Sequence, residues 1–291
     1  MNPRMGKTTL FDVAVYAVLL LVSLVFVYPF LYILAASLSD PVRVFNDPLL
    51  LYPRGFTLES YDILLGFRAV WTGYANSTLY TIGGTALSTA VTLLAAHSLS
   101  RRDLAGRGAI VFIVVLTMFF SGGMIPLFLV VKSLGLLDTR WAMIIPTLMT
   151  TWNLLIAKSY LETNVPGELR DAAEVDGASE ITFFARIVLP LSKPIIAVIA
   201  LFYGASQWNA YFGALIYLRD RSLYPLQVFL REILILDQNS EMMGAVSDNR
   251  AMYALTLKYA IMVVAVAPLL IVFPFVQRYF VKGVLIGALK E

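Results

Sequence analysis

The sequence predicts an all-α membrane protein with six transmembrane helices, because it is apolar, carries few charges and divides into six long apolar segments. Of its 291 residues, 59% are hydrophobic and 14% are charged, whereas soluble domains have about a quarter charged residues. So few charges cannot cover a water-facing surface of this size, which excludes a soluble enzyme, a disordered regulator and a fibrous protein. The net charge of +3 forms no dense basic face, so nucleic acid is not an expected partner.

Each apolar segment is long enough to cross a hydrocarbon core of about 30 Å as a helix of about 20 residues. The segments are Phe11–Leu38, Trp71–Leu99, Ala109–Val131, Trp141–Leu161, Ile187–Leu218 and Met252–Phe280. Helices are expected because backbone groups in lipid must be satisfied within the segment. The first apolar run is longer than the roughly 7–15 residues of a cleavable signal peptide. The predicted organisation is therefore one membrane domain over residues 1–291.

The positions of the basic residues predict that both termini are cytoplasmic. In that orientation twelve of the 22 Lys and Arg residues fall in inner segments, most of which are short. The tight turn at 98–107, which holds Arg101, Arg102 and Arg107, is the clearest indication of this orientation.

A loop at 213–251 is predicted to lie on the outer side. It contains a stripe of apolar residues that share one helical face, preceded by Pro225, which suits the first turn of a helix. The stripe consists of Leu226, Phe229, Leu230, Ile233 and Leu234. Two interpretations explain the stripe. It is the buried face of a helix that lies on the membrane or packs on other helices, or it is a docking surface for a partner.

The polar residues inside the segments are neutral. No Asp or Glu lies well inside a segment, which argues against a proton-driven or sodium-driven carrier. The uncharged candidates are Asn76, Asn153, Gln207 and Asn209. His97 is the only histidine and the chain has no cysteine, so no metal site is predicted and His97 is expected to be interfacial or structural. Gly84, Ser88 and Thr92 recur every four residues, a pattern typical of helix packing.

The sequence of the inner loop at 162–194 predicts two short helices that meet at a tight elbow. Pro166 suits the first turn of the first helix, and Asp176-Gly177 indicates a break where glycine takes positive φ. Ser179 is a suitable cap for the second helix, and Pro190 and Pro194 mark the entry into the fifth segment. The small residues leave no bulk at the elbow, which favours a partner that approaches the backbone closely. An ordinary charged inner loop with a turn explains the same pattern.

This loop, PGELRDAAEVDGASEITFFARIVLPLSKP, resembles the EAA loop of bacterial ABC-importer permeases. Asp171-Ala172-Ala173 stands where the family has Glu-Ala-Ala, and Asp176-Gly177-Ala178 follows at the family's spacing. Asp171 keeps the charge of the usual Glu with a shorter reach. Asn76-Ser77 opens the second segment as in the maltose-type, MalG-like carbohydrate permeases. The runs at 118–148, 207–234 and 279–290 resemble the LplC-like subgroup, which is associated with oligosaccharides and polysaccharide fragments.

The resemblance implies the type I importer permease fold, also called MetI-like, in a bacterial inner membrane. It implies that this subunit is not an enzyme and holds no cofactor, since ATP and Mg bind the partner ATPase. The implied partners are a second permease in a heterodimer, two ATPase subunits, an extracytoplasmic sugar-binding protein and membrane lipid. The residues implied to couple to the ATPase are Asp171, Ala172, Ala173, Asp176, Gly177 and Ala178.

The resemblance also directs attention to the fifth segment as part of the transport pathway. The candidate pathway residues are Asn76, Asn153, Gln207, Trp208, Asn209, Tyr211 and Phe212. Aromatic rings and amides suit the CH faces and hydroxyls of sugars, although Trp and Tyr also serve as interfacial anchors. A secondary carrier is the alternative function. A secondary carrier would need ion-coupling groups in the membrane. Two further classes fit less well: an ABC exporter of the common fused kind would carry its own ATPase, and a membrane scaffold would not need the elbow.

Overall fold

The computed structural model describes the backbone of residues 10–47, 49–243 and 248–288, and the side chains of 10–44, 46–47, 49–235, 256–275 and 277. Every regular element in those ranges is a helix, which confirms the predicted all-α class. Both termini, residues 244–247 of the predicted outer loop and the end of the 279–290 run lie outside the described residues.

The α-helices up to the fourth apolar segment are α1 Leu10–Ser37, α2 Pro41–Asn46, α3 Glu59–Gly66, α4 Arg68–Ser100, α5 Arg107–Phe119, α6 Met124–Ser133 and α7 Thr151–Asn164. Those that follow are α8 Gly167–Val175, α9 Glu180–Phe183, α10 Leu189–Leu191, α11 Lys193–Trp208, α12 Phe212–Tyr217, α13 Leu226–Met243 and α14 Asp248–Ala288. A π-helical turn at Phe184–Val188 joins α9 to α10.

Three described helices are long and apolar enough to cross a membrane by length and composition. They are α1, α4 and the part of α14 at Thr256–Phe275. Two bent pairs raise the number to as many as five if each pair is one span: α5 with α6, bent by 118°, and Glu180–Leu191 with α11, bent by 81°. The count of six crossings therefore stays a prediction.

The third, fourth and fifth predicted segments are not single helices, and glycine and proline explain why. The bend between α5 and α6 lies at a glycine pair, where Gly123 has φ +84°. The fifth segment bends at Ser192, between Pro190 and Pro194, because proline removes a helical donor and crowds the preceding turn. In the fourth segment, short 3₁₀ turns at Arg140–Met143 and Ile145–Thr147 precede α7.

Contacts group the described residues into two units, drawn from Met1–Arg68 with Leu230–Val266 and from Ala69–Phe229 with Ala267–Glu291. The first unit buries the end of α1 against the loop that follows it, at Ala36 and Leu50 among others.

The second unit contains the larger core and holds the inner loop. Buried side chains of α4, α7 and α11 pack together there, and one side chain each from α8 and α9 joins them. The buried members of this core are Leu93, Ala96, Leu99, Leu154, Ala157, Leu161, Ala173, Phe183, Val188, Ile195, Ile199 and Tyr203. The inner loop is thus attached to the membrane helices by Ala173 and Phe183.

Candidate coupling loop and transport pathway

Helix α8 forms the first arm of the predicted elbow. It begins one residue after Pro166, which lies at the N-cap and not in the first turn as predicted. Glu168 occupies the first turn, where the helix dipole favours an acidic side chain. Ala173 is the buried residue of α8, at 7% exposed, whereas Val175 is 88% exposed. The arm is therefore anchored through one small side chain and presents most of its surface to solvent.

The elbow is a Schellman motif that ends α8 as the sequence predicts. The N–H of Ala178 donates to the carbonyl of Ala173 at 2.9 Å, and the N–H of Gly177 donates to the carbonyl of Glu174 at 3.0 Å. Gly177 has φ +75°, the left-handed conformation that this motif needs and that a side chain disfavours. The predicted break at Asp176-Gly177 is present.

Ser179 starts the second arm and caps it as predicted. Its hydroxyl accepts the N–H of Thr182 at 3.2 Å, which satisfies a free donor of the first turn. Phe183 ends α9 with its side chain buried, while Ile181 is 80% exposed. The second arm is therefore also held by one inward side chain and carries one outward apolar side chain.

The six predicted coupling residues have different environments. Asp171, Ala172, Asp176 and Gly177 are exposed, Ala178 is half-buried, and Ala173 lies in the core. The surface of the elbow also includes Val175 and Ile181, whose exposure was not predicted. The sequence carries no signal for their exposure, since each arm is too short to define its inward face.

A ring of charged side chains joins both arms to the turn between α4 and α5. Arg101 pairs with Asp103 at 2.6 Å and with Glu180 at 3.0 Å. Arg170 pairs with the same two acids, with Asp103 at 3.1 Å and with Glu180 at 2.6 Å. Hydrogen bonds from Arg101, and then from Arg170, hold the pKa of Asp103 below its usual range.

Asn76 is a structural clamp on the segment that precedes α13. Its amide donates to the carbonyls of Ser222 at 2.7 Å and Tyr224 at 3.1 Å. Two neighbours on α4 act in the same way. The hydroxyl of Tyr80 donates to the carbonyl of Leu223 at 2.8 Å, and the hydroxyl of Ser77 accepts the N–H of Leu226 at 2.9 Å. We call Asn76, Ser77 and Tyr80 the α4 clamp.

Gln207 is also bound within the protein. Its side chain is buried and donates to the hydroxyl of Thr147 at 2.9 Å. Gly84 lies against it, so closely that a Cβ at this position would be 3.0 Å from the amide. Thr92 hydrogen-bonds the hydroxyl of Tyr203 at 2.7 Å. The predicted packing face of α4 therefore packs on α11.

The other pathway candidates divide into buried and exposed side chains. Asn153 is buried near the start of α7, and Asn209 is exposed and donates to the carbonyl of Ala205 at 2.8 Å. Trp208 is buried and meets the ring of Tyr74 edge to face at 5.5 Å. Tyr211 and Phe212 are exposed. Within the described residues, the seven candidates therefore do not come together in one site.

A cavity of about 900 Å³ lies between α4, α11 and the second half of α14. Of the seven pathway candidates, Trp208 lines it, and the walls are mostly apolar. Thr81, Thr85 and Thr89 face it along α4, with hydroxyls that are shielded and have no hydrogen-bond partner in the described residues. An apolar wall of this kind suits a helix or lipid chains better than a sugar.

The apolar stripe of the 213–251 loop packs on the protein at its start. Leu226 is fully buried, and Phe229 lies so close to Gly73 that a Cβ there would be 2.8 Å from its ring. The side chains from 236 onwards in this loop lie outside the described residues. Packing on neighbouring helices therefore explains the start of the stripe.

His97 lies in the last turn of α4 beside the second arm. Its ring centroid is 5.1 Å from that of Phe184, and its Nε2 is 4.0 Å from a carboxylate oxygen of Glu180. These contacts agree with the predicted structural role.

Helices of this length and apolar composition are typical of a membrane protein, and similarity to known proteins defines its class as a transport permease. The chain belongs to the family of binding-protein-dependent transport system inner membrane components, whose sequence profile matches residues 88–286. It is 43% identical over 287 residues to the polygalacturonan/rhamnogalacturonan transport system permease protein YtcP of Bacillus subtilis strain 168, an alignment that covers 98% of this chain and 99% of the relative.

Two further comparisons agree. The chain is 40% identical over 289 residues to Protein LplC of the same Bacillus subtilis strain, covering 99% of this chain and 97% of the relative. A chain in the crystal structure of a bacterial ABC transporter involved in the import of the acidic polysaccharide alginate matches with a TM-score of 0.85 and 34% identity. That match covers 96% of this chain and 100% of the other. The importer-permease resemblance, the permease fold and the non-enzymatic role are confirmed, and the chain is an inner membrane component.

Proposed function

We propose that this chain and a second, different permease form the membrane path of an importer for oligosaccharides or polysaccharide fragments. Two ATPase subunits act on the inner side, and an extracytoplasmic binding protein delivers the sugar. Both chain termini are cytoplasmic, as the basic residues predict. The observation that carries the proposal is the 43% identity, over 98% of the chain, to a permease of a polygalacturonan/rhamnogalacturonan system.

The inner loop 162–194 is the proposed contact with the ATPase. Its exposed small residues allow close approach, and the exposed apolar side chains of Val175 and Ile181 flank the elbow on both sides. Closure of the ATPases on ATP moves the elbow, and the packed helices carry that motion to the outer side. This requires that ATP binds the outward-facing state more tightly than the inward-facing one.

The proposed pathway residues are those candidates that the fold leaves available. Tyr211 and Phe212 are exposed aromatic side chains, and Asn209 beside them has an exposed amide. Asn76 and Gln207 hold the fold through the bonds described above, so we assign them a supporting role. Asn153 and Trp208 are buried within this chain, and we place them behind the path.

The proposed substrate is acidic. The named substrates of the relative and of the structural neighbour include acidic polysaccharides. On the side predicted to be outer, Lys132 and Arg140 are exposed, and neither of them forms an ion pair in the described residues. Positive charge at a pathway entrance raises the local concentration of anionic sugars.

The test begins with a mild-detergent pull-down from the native membrane and mass spectrometry of the proteins that co-purify. The complex is then reconstituted in liposomes with its binding protein. Uptake of a labelled oligogalacturonide is measured with and without ATP and compared with a neutral maltodextrin of the same length. We expect ATP-dependent uptake at least tenfold in favour of the oligogalacturonide. Equal uptake of the neutral sugar would refute the acidic substrate, and a purified complex without an ATPase would refute the proposed assembly.

A further inference from the structure

The charged ring closes on itself and joins three separate pieces of chain. Arg101 and Asp103 lie in the turn between α4 and α5, Arg170 lies on α8, and Glu180 starts α9. Each cation contacts both anions, so the signs alternate around the ring. The two arms of the elbow are therefore tied to each other and to the same turn.

The ring differs from an ordinary surface ion pair. The side chains of Arg101 and Arg170 are only 27% and 26% exposed, although those of the two acids are about half exposed. Arg101 also binds Asp103 with two nitrogens, at 3.2 and 2.6 Å. Isolated surface pairs contribute little, whereas geometrically defined networks fix positions.

Apart from the ring, the arms are held mainly by apolar packing. Among the described side chains, α8 buries Ala173 and α9 buries Phe183, one near each side of the elbow. Ala178, Phe184 and Ile187 pack partly buried against the same core. Apolar packing is non-directional, so the directed ion pairs at Arg170 and Glu180 add a constraint on the orientation of the arms that packing alone does not give.

The turn at the other end of the ring is itself held by charged groups. Arg107, the first residue of α5, donates to the carbonyl of Leu99 at 2.8 Å and pairs with Glu162 on α7. Lys158 pairs with the same carboxylate at 2.9 Å. Because the turn is fixed to α4, α5 and α7, it is a firm support for the elbow.

From this geometry we infer that Arg101, Asp103, Arg170 and Glu180 are positioning residues that make the elbow move as one body with the inner ends of α4 and α5. The inference rests on the proposed function of the elbow. Force from the ATPase then reaches these two helices directly through the ring, in addition to the route along the chain into α11.

Charge exchange tests the ring without altering net charge. In the elbow exchange, Arg170→Glu with Glu180→Arg, each arm meets a like charge on the turn. The turn exchange, Arg101→Glu with Asp103→Arg, has the same effect, and the four substitutions together restore the alternation. Uptake of labelled oligogalacturonide per ATP hydrolysed is measured in the reconstituted transporter. We expect each exchange to lower this ratio at least fivefold and the combination to return it to within twofold of wild type.

A distance measurement reports the position of the elbow itself. Because the chain has no cysteine, Ala105→Cys and Ala185→Cys give one labelling pair for spin labels on the turn and after α9. The distance distribution should broaden in the elbow exchange and narrow again in the fourfold variant. Arg102→Glu, which changes the charge of the turn outside the ring, is the matched control. It should leave uptake per ATP hydrolysed within twofold of wild type and the width of the distance distribution unchanged.

Two results would overturn the inference. Unchanged coupling and an unchanged distance distribution in the elbow exchange would show that the ring does not set the position. Failure of the fourfold variant to recover, with loss of the ATPase on purification, would show that Arg170 and Glu180 bind the ATPase themselves. If the wild-type complex holds no ATPase at all, the proposed function fails and the ring is not the cause.

Discussion

The elbow and the α4 clamp are both held by a few hydrogen bonds, but they differ in how far those bonds reach along the chain. The elbow closes within a few residues, since Ala178 bonds to Ala173 and Ser179 to Thr182. The clamp joins residues up to 149 positions apart. Local capping rules can therefore be read from the sequence, whereas the partner of Asn76 depends on how distant segments pack.

The two regions also show that residue type alone does not assign a role to a polar side chain in an apolar segment. Asn76 and Asn209 were candidates on equal grounds. Asn76 is buried and binds two distant carbonyls, while Asn209 is exposed and binds within its own helix. Variants that damage one region and spare the other can test this distinction.

The largest effect is expected at the elbow, from Gly177→Glu. A side chain at φ +75° is strained by about 1–2 kcal/mol, and the added charge lies where the ATPase is proposed to approach. ATP-dependent uptake should fall at least tenfold while the chain still inserts in the membrane. Gly177→Asn is the control, because Asn tolerates this conformation, and it should keep at least half of the uptake. Normal uptake in the Glu variant would reject the assigned role.

A smaller effect is expected at the contact between α4 and α11, where two adjacent glycines form a matched pair. A Cβ on Gly84 would be 3.0 Å from the Gln207 amide, whereas on Gly83 it would meet Ile144 at an ordinary 3.9 Å. Gly84→Ala should lower the free energy of unfolding by about 1–3 kcal/mol through overpacking. Gly83→Ala should be neutral or stabilising, by up to about 1 kcal/mol. Thermal unfolding in detergent measures both, and equal melting temperatures would contradict the close contact.

The smallest effect is expected from the clamp. Asn76→Ala removes two hydrogen bonds, and bonds inside membrane proteins contribute on average about 0.6 kcal/mol each. The expected loss in free energy of unfolding is therefore about 1–2 kcal/mol. Asn209→Ala removes an exposed bond and should cost less than about 0.5 kcal/mol. Thermal unfolding in detergent measures both variants. A larger loss of stability in Asn209→Ala than in Asn76→Ala would reverse the assignment of the two residues.

The sequence predicts the helical class and the elbow because the rules behind both act over short distances. Gly177 as the break and Ser179 as the cap follow from backbone preferences that need no knowledge of the rest of the fold. The bends at Gly123 and Ser192 were missed, although glycine and proline lie beside them, because continuous hydrophobicity was taken as evidence for continuous helix.

Other features could not be predicted from one sequence. The contact of Asp103 with Arg170, and that of Gln207 with Thr147, join segments whose meeting depends on packing. The exposure of Val175 and Ile181 likewise depends on which face of each arm turns inward, and short helices carry too few apolar residues to define that face.

The α4 clamp also bears on the order of events during synthesis. Asn76 leaves the ribosome 146 residues before its partner Ser222, which at about 5–20 residues per second is a delay of roughly 7–30 s. Through that interval the amide of Asn76 and the hydroxyls of Ser77 and Tyr80 are without their native partners. Translocon components, water or an assembly factor must satisfy these groups until the segment before α13 arrives and completes the fold.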